Sequence, residues 1–344
     1  MKSRISGIHI AGVAIALPQD IVKVDTFSDV LGEGKVRRLK RSTGVEQMHI
    51  VAPGVTAADL CVEAAERLFE TLAIKRDEID ALVFVSISPD YRAPSTACIL
   101  QDRLHLSQEA AAFDLTYACS GFPYGLFAAS LLVQSGCRKV LLLNGDTQST
   151  LVNPKDFTMR VLVGDAGAAT IVEKGEETSC FYLKTVGSGY KNLIIPAGGC
   201  RKPCSSLTKN EVKDQLGSIR SDEDLYMNGT EVMKFSLNEV PRAIQIVCND
   251  MEWQKNDVNL FAFHQPNKLI LDYLSNMMDI SENKMPVGLQ RTGNTGSASI
   301  PVLLHTLKER GTNFTKMKHV IACGFGIGLA VGAVSLDLSQ TIIM

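Results

Sequence analysis

Short stretches of this chain recur in the same order about half a chain length later. Asp80-Ala-Leu-Val-Phe-Val-Ser-Ile-Ser-Pro89 is matched by Asp257-Val-Asn-Leu-Phe-Ala-Phe-His-Gln-Pro266, Asp to Asp and Pro to Pro, each at an offset of 177 residues. Arg138-Lys-Val-Leu-Leu-Leu-Asn-Gly145 is matched by Lys318-His-Val-Ile-Ala-Cys-Gly-Phe325 at 180, and Ile10-Ala-Gly12 by Thr185-Val-Gly187 at 175. Single matches between apolar strands arise by chance; collinear ones along a whole chain point to duplication, and a long-period repeat fixes architecture before any local reading does. Within each half, apolar runs such as Ala81–Val85, Val140–Leu143, Leu260–Phe263 and Val320–Ala322 alternate with helical stretches such as Ala57–Leu72, Ser120–Gln134 and Val240–Met251. Continuously apolar strands are expected where helices cover both faces of a sheet. The chain is therefore read as α/β, with two similar halves at residues 1–175 and 176–344 packed on each other.

Composition narrows the function. With 35 basic against 37 acidic residues and 45% hydrophobic side chains, the 344-residue chain reads as globular, and nucleic-acid binding by bulk charge recedes. Nine cysteines, in no CxxC pair and with no zinc spacing, suggest neither a disulfide framework nor a structural metal, and fit a reducing, cytoplasmic setting. The N-terminus loosely resembles a signal peptide, but His9, Gly12 and its β-branched residues suit a strand better. The uncharged run Leu115–Cys137 could cross a bilayer by length, yet its Ser, Gly, Pro and Gln residues suit a helix buried on all sides.

Cys119 stands apart from the other thiols. It lies where a strand gives way to small residues and then to a helix with Pro123 in its first turn. A sulfur at that end of a helix dipole is expected to be biased toward thiolate. His264 leaves the strand Leu260–Phe263 at a carboxyl edge, where open α/β sheets place ligand sites. Asn294, in Arg291-Thr-Gly-Asn-Thr-Gly296, opens a helical stretch and could serve only as its cap. The repeat joins the three: shifted by 177, Cys119 falls on Gly296, and His264 shifts back onto Ile87, at the end of the matching strand. Pseudo-twofold packing would bring equivalent sheet edges, and these side chains, together.

Tyr117-Ala-Cys-Ser-Gly121, Val163-Gly-Asp-Ala-Gly-Ala168, His264-Gln-Pro-Asn267, Gly293-Asn-Thr295 and Gly324-Phe-Gly-Ile-Gly328 together resemble the β-ketoacyl-acyl-carrier-protein synthase III family of the thiolase fold. The resemblance implies a five-layered α/β/α/β/α fold, a homodimer, and a Cys-His-Asn triad at Cys119, His264 and Asn294. It implies acylation of Cys119 by a thioester, with the oxyanion held by backbone N–H groups of Cys119 and Gly328. A malonyl thioester would then lose carbon dioxide, and the enolate, held by His264 and Asn294, would attack the acyl group. Coenzyme A or phosphopantetheine thioesters would be substrates, with no metal or redox cofactor and no membrane span.

Departures from the family pattern bear on substrate choice. A Trp and an Arg commonly sandwich the adenine of coenzyme A in bacterial members; the corresponding regions here, Lys35–Arg41 and Asn153–Phe157, offer neither at those positions, which questions acetyl-CoA as primer. Ala93 stands where many members have an aromatic residue before the proline, Pro94, of the loop entering the partner's acyl tunnel, so a wider or longer pocket is expected. The basic run holding Arg37, Arg38 and Lys40 could steer an acidic acyl carrier protein, or could be solvated surface. Transfer of the acyl group to a hydroxyl or amine, or a non-catalytic partner subunit, remain alternatives. A 3-hydroxy-3-methylglutaryl-CoA synthase reading finds no glutamate near Val85–Pro89.

Overall fold

The computed structural model describes residues 1–214 and 217–344. The segment that loosely resembled a signal peptide is a strand, β1 (Lys2–Ala16), whose buried residues fall toward its end. The first half continues with α1 (Ala57–Thr71), β2 (Ile79–Val85), α2 (Thr96–Arg103), β3 (Ala111–Leu115), α3 (Gly121–Gln134) and β4 (Lys139–Thr147). A long strand, β5 (Asp165–Thr185), leads into α4 (Gly229–Met251), β6 (Leu260–Phe263), α5 (Lys268–Met278), α6 (Ser299–Glu309), β7 (Val320–Gly326), β8 (Ala330–Leu336) and β9 (Ile342–Ile343). Thr56 and Asp59 form a reciprocal cap at the start of α1. Among the described residues, no helix is long and apolar enough to cross a membrane.

The nine strands form one hydrogen-bonded array in the order β6-β7-β8-β5-β4-β2-β3, with β1 alongside β5 and β9 alongside β1. β5 serves both halves. Its first stretch pairs antiparallel with β4, Asp165 opposite Thr147, and its last with β8, Thr185 opposite Ala330. The pairing pattern then repeats: β2 is parallel to β4 and β4 antiparallel to β5, as β6 is parallel to β7 and β7 antiparallel to β8. The recurring sequence stretches thus occupy corresponding strands. Residues 175 and 176 lie inside β5, a strand that runs unbroken past that point.

Alternation along each strand sorts side chains between layers. Leu82 and Phe84 of β2 pack outward with Leu68 and Phe69 of α1, while Val83 and Val85 face inward with Phe122 and Leu126 of α3. In the second half, Ala262 joins that inner layer with Ile300 and Leu304 of α6, whereas Phe261 and Phe263 pack with Ile244 of α4 and Leu274 of α5. The result is α/β/α/β/α: α1 and α2, one sheet region, α3 and α6, a second sheet region, then α4 and α5. The uncharged run that could have spanned a bilayer is largely α3, whose length is 14 residues and whose inner faces are packed by protein.

Candidate active site

Cys119 sits between β3 and α3, directly before Ser120, which opens the helix. It is 9% exposed. The backbone N–H groups of Cys119 itself and of Ile327, in the glycine-rich loop between β7 and β8, favour the anionic form of its sulfur. The loop comes this close only because residue 326 has no side chain: at Gly326 (φ +155°) an added Cβ would lie 2.6 Å from Cys119 Cβ and 3.0 Å from Sγ. Gly326→Ala is therefore expected to slow Cys119 acylation by about a hundredfold, the cost of displacing reacting groups by an ångström, read as the rate of mass gain on mixing with an acyl thioester.

Burial, reinforced by the Asp146 carboxylate, pushes the Cys119 thiol up to about 12. Burial thus opposes the thiolate that the helix dipole was expected to favour. The two backbone N–H groups favour the anion, but removal of water from the sulfur outweighs them.

His264 follows the last residue of β6, and its backbone N–H donates to Cys323 O on the parallel neighbour β7 at 2.8 Å. It is 1% exposed, packs edge-on against Phe325 with centroids 5.6 Å apart, and burial lowers its pKa to about 3. The imidazole is neutral at physiological pH. Its Nδ1 has no hydrogen-bond partner among the described residues. Gln265 fixes the chain that follows: its N–H donates to Ser299 Oγ at 2.8 Å, its amide NH2 to Phe263 O at 2.9 Å, and its Oε1 accepts from Gly288 N–H at 2.8 Å.

Asn294 is held more tightly than a helix cap needs. Its backbone N–H donates to Leu162 O at 2.8 Å, and its carbonyl accepts from Gly164 N–H at 2.9 Å and Gln148 Nε2 at 3.0 Å. Its Oδ1 accepts from Gly296 N–H at 3.0 Å, so the donating end of the amide is what remains for the cavity. The sequence strings Val163–Ala168 and Gly293–Thr295 are thereby one structural unit, joined through a bridge between Val163 and Asn294.

Cys119, His264 and Asn294 line a single cavity of about 80 Å³. The remaining wall is mostly apolar and includes Met159, Leu162, Leu193, Leu225, Met227 and Val232, with Gln148 and Asn267 among its polar members. Leu193 and Met227 face each other across a two-residue strand pair, Leu193–Ile194 with Tyr226–Met227. Such short strands carry no periodic signal, so sequence reading missed these residues. Asn267, which also caps α5 through Ile270 N–H at 2.8 Å, was within a noted motif but was given no role.

Gly328 lies one residue beyond Ile327, outside the cavity-lining set. Ala93 and Pro94 are exposed on the surface before α2 and are not part of their own chain's cavity wall. Arg37 and Arg38 are exposed on the helix Glu33–Thr43, where Arg37 pairs with Glu33 at 3.1 Å. Lys40 pairs with Asp25 at 2.9 Å and Glu46 at 2.6 Å. Two of the five basic side chains of that run, Arg37 and Lys40, are thus paired within the chain among the described residues. All nine cysteines are free.

A buried thiol, a neutral imidazole and an inward amide donor in one apolar cavity suit acyl transfer through a covalent thioester. Comparison with known proteins points the same way. Residues 113–188 match the family described as 3-oxoacyl-[acyl-carrier-protein (ACP)] synthase III, and residues 248–338 match its C-terminal part. The chain is 34% identical to the beta-ketoacyl-[acyl-carrier-protein] synthase III of Clostridium tetani over 301 residues, 86% of this chain and 88% of that one. It is 32% identical to the protein of the same name from Rhodopirellula baltica over 351 residues, covering 95% and 97%. The crystal structure of 3-oxoacyl-(acyl-carrier protein) synthase from Burkholderia xenovorans superposes with a TM-score of 0.92 at 34% identity, over 100% of this chain and 97% of that one. With the duplicated sheet, the shared cavity and these relatives agreeing along the whole length, the chain belongs to the 3-oxoacyl-[acyl-carrier-protein] synthase III family and has its thiolase fold.

Proposed function

We propose that this protein joins an acyl group to a malonyl thioester with loss of carbon dioxide, releasing a β-ketoacyl thioester, and that Cys119, His264 and Asn294 carry the two half-reactions. The observation that supports this most is their convergence on one largely apolar cavity from three separate elements. In the first half-reaction Cys119 sulfur bonds to the acyl carbon, the donor thiol departs, and the thiol proton passes to it through neutral His264. Backbone N–H groups of Cys119 and of the Ile327–Gly328 turn receive the oxyanion. In the second, cleavage of the malonyl carboxylate leaves an enolate whose oxygen takes two hydrogen bonds, from a His264 ring N–H and the Asn294 amide. Its carbon attacks the acyl-cysteine and the Cys119 sulfur leaves. A neutral imidazole suits both steps, since it can accept a proton in one and donate a hydrogen bond in the other.

The apolar wall from Met159 to Val232 would take the pantetheine arm and acyl chain of a carrier-protein or coenzyme A thioester, with no metal or redox cofactor. β3 pairs only with β2 among the described residues, leaving one strand edge open, and in a homodimer that edge would be covered. In such a dimer Ala93 and Pro94 would reach the partner's tunnel. Of Arg37, Arg38 and Lys40, which would meet an acidic carrier protein, Arg38 is exposed and without an ion pair among the described residues. The halves 1–175 and 176–344 would be the units of duplication, and such chemistry belongs in the cytoplasm. Intact-protein mass spectrometry after mixing with acyl thioesters of increasing length tests the reading. A stable adduct confined to Cys119 supports it and its mass names the chain; no adduct from any donor contradicts it.

A further inference from the structure

Asp146, at the end of β4, is fully buried, and no step above uses it. Its Oδ1 accepts from Ile87 N–H at 2.8 Å and from Ser86 Oγ at 3.2 Å, both just past β2. Its Oδ2 accepts from Ser297 N–H at 2.7 Å, in the turn that follows Asn294. The approach is close enough to dictate the neighbouring residue: at Gly296 (φ +59°) an added Cβ would lie 2.3 Å from Asp146 Oδ2. Gly296 N–H is in turn the donor to Asn294 Oδ1. Ser297 Oγ closes the arrangement by donating to Val85 O at 3.1 Å. One carboxylate therefore ties the end of a first-half strand to the second-half turn that aims the Asn294 amide.

We propose that Asp146 is a positioning residue for the decarboxylation and condensation half-reaction, acting through the Gly296–Ser297 turn on Asn294. This rests on the reading of Cys119 and Asn294 given above. A fixed carboxylate accepting three hydrogen bonds holds a turn with little freedom, as an amide donor needs if it is to meet a developing oxyanion without reorganising.

Asp146→Asn keeps the size and removes the charge. Two quantities are to be read on the purified full chain: the rate of Cys119 acylation by an acyl thioester and the steady-state kcat of condensation with malonyl-acyl carrier protein. Acylation is expected to stay within about threefold of the unsubstituted protein and kcat to fall at least about tenfold. Parallel loss of acylation and condensation marks a merely structural role and overturns the positioning claim, as does an unchanged kcat. An unsubstituted protein that is acylated but condenses nothing sinks the functional reading instead, and is told apart because it fails before any substitution is made. Should Asp146→Asn not fold, Ser86→Ala removes the hydrogen bond from Ser86 Oγ to Asp146, together with the local ones to Ser88 N–H and Oγ, and keeps the charge. A fall in kcat of about threefold with acylation unchanged then supports the positioning role, and no change or an equal loss in both overturns it.

Discussion

Replacing Cys119 by serine removes acyl transfer and leaves the fold in place. The side chain is nearly isosteric, and the backbone N–H groups of Cys119 and Ile327 that face the sulfur remain to face an oxygen. A hydroxyl ionises far less readily than a thiol, and His264, whose basicity burial lowers, is a poor base for it, so loading by any thioester is expected to fall by at least about a thousandfold, in line with deletion of a nucleophile elsewhere. The adduct mass should vanish while the melting temperature moves little. Loading that persists in Cys119→Ser would move the nucleophile to another residue, and the exposed thiols Cys98, Cys200 and Cys204 would be examined first.

His264→Ala and Asn294→Ala are expected to separate the half-reactions. Loss of one preorganised donor to a developing oxyanion costs about a hundred- to a thousandfold. Each substitution should lower condensation by that factor, measured as carbon dioxide released from a malonyl thioester. Asn294→Ala should leave Cys119 loading near its original rate, because the asparagine acts only on the enolate. His264→Ala should slow loading as well, since it removes the proton carrier. The double variant is expected to lose less than the product of the two factors, as residues that act on one oxygen are not independent. Carbon dioxide release that survives Asn294→Ala unchanged would remove the amide from the mechanism and leave it the cap of a helical turn.

Much of this site could be read from the chain before folding, for a physical reason. Duplication places equivalent strand ends at equivalent edges, so the offset of 177 residues that aligns Asp80 with Asp257 also sets Cys119 against the Asn294–Gly296 turn. The sheet bears this out: β2 and β4 pair in parallel as β6 and β7 do. What could not be read depends on the surroundings that folding creates. The helix-dipole view favoured a thiolate at Cys119, yet desolvation, which follows from how completely α3, β7 and the glycine-rich loop enclose the sulfur, pushes the thiol the other way. Within the basic run from Lys35 to Arg41, the pairing of Lys40 with Asp25 and Glu46 likewise arises only on folding. Asp146 gave no sequence signal, because an aspartate after an apolar strand is ordinary, and its meaning lies in three donors drawn from two other elements. The cavity wall at Leu193, Leu225 and Met227 was equally silent, being built from irregular chain and two-residue strands.

The central claim, that an acyl group on Cys119 is consumed by a decarboxylating malonyl unit, is tested most directly by a single-turnover chase. The protein is loaded with a labelled acyl group, freed of excess donor and mixed with malonyl-acyl carrier protein, and the carbon dioxide released is counted against the label lost from Cys119. One carbon dioxide for each acyl group lost, with a carrier-bound product two carbons longer than that acyl group, is the predicted result. Label leaving Cys119 for water, an alcohol or an amine, with no carbon dioxide formed, would contradict it.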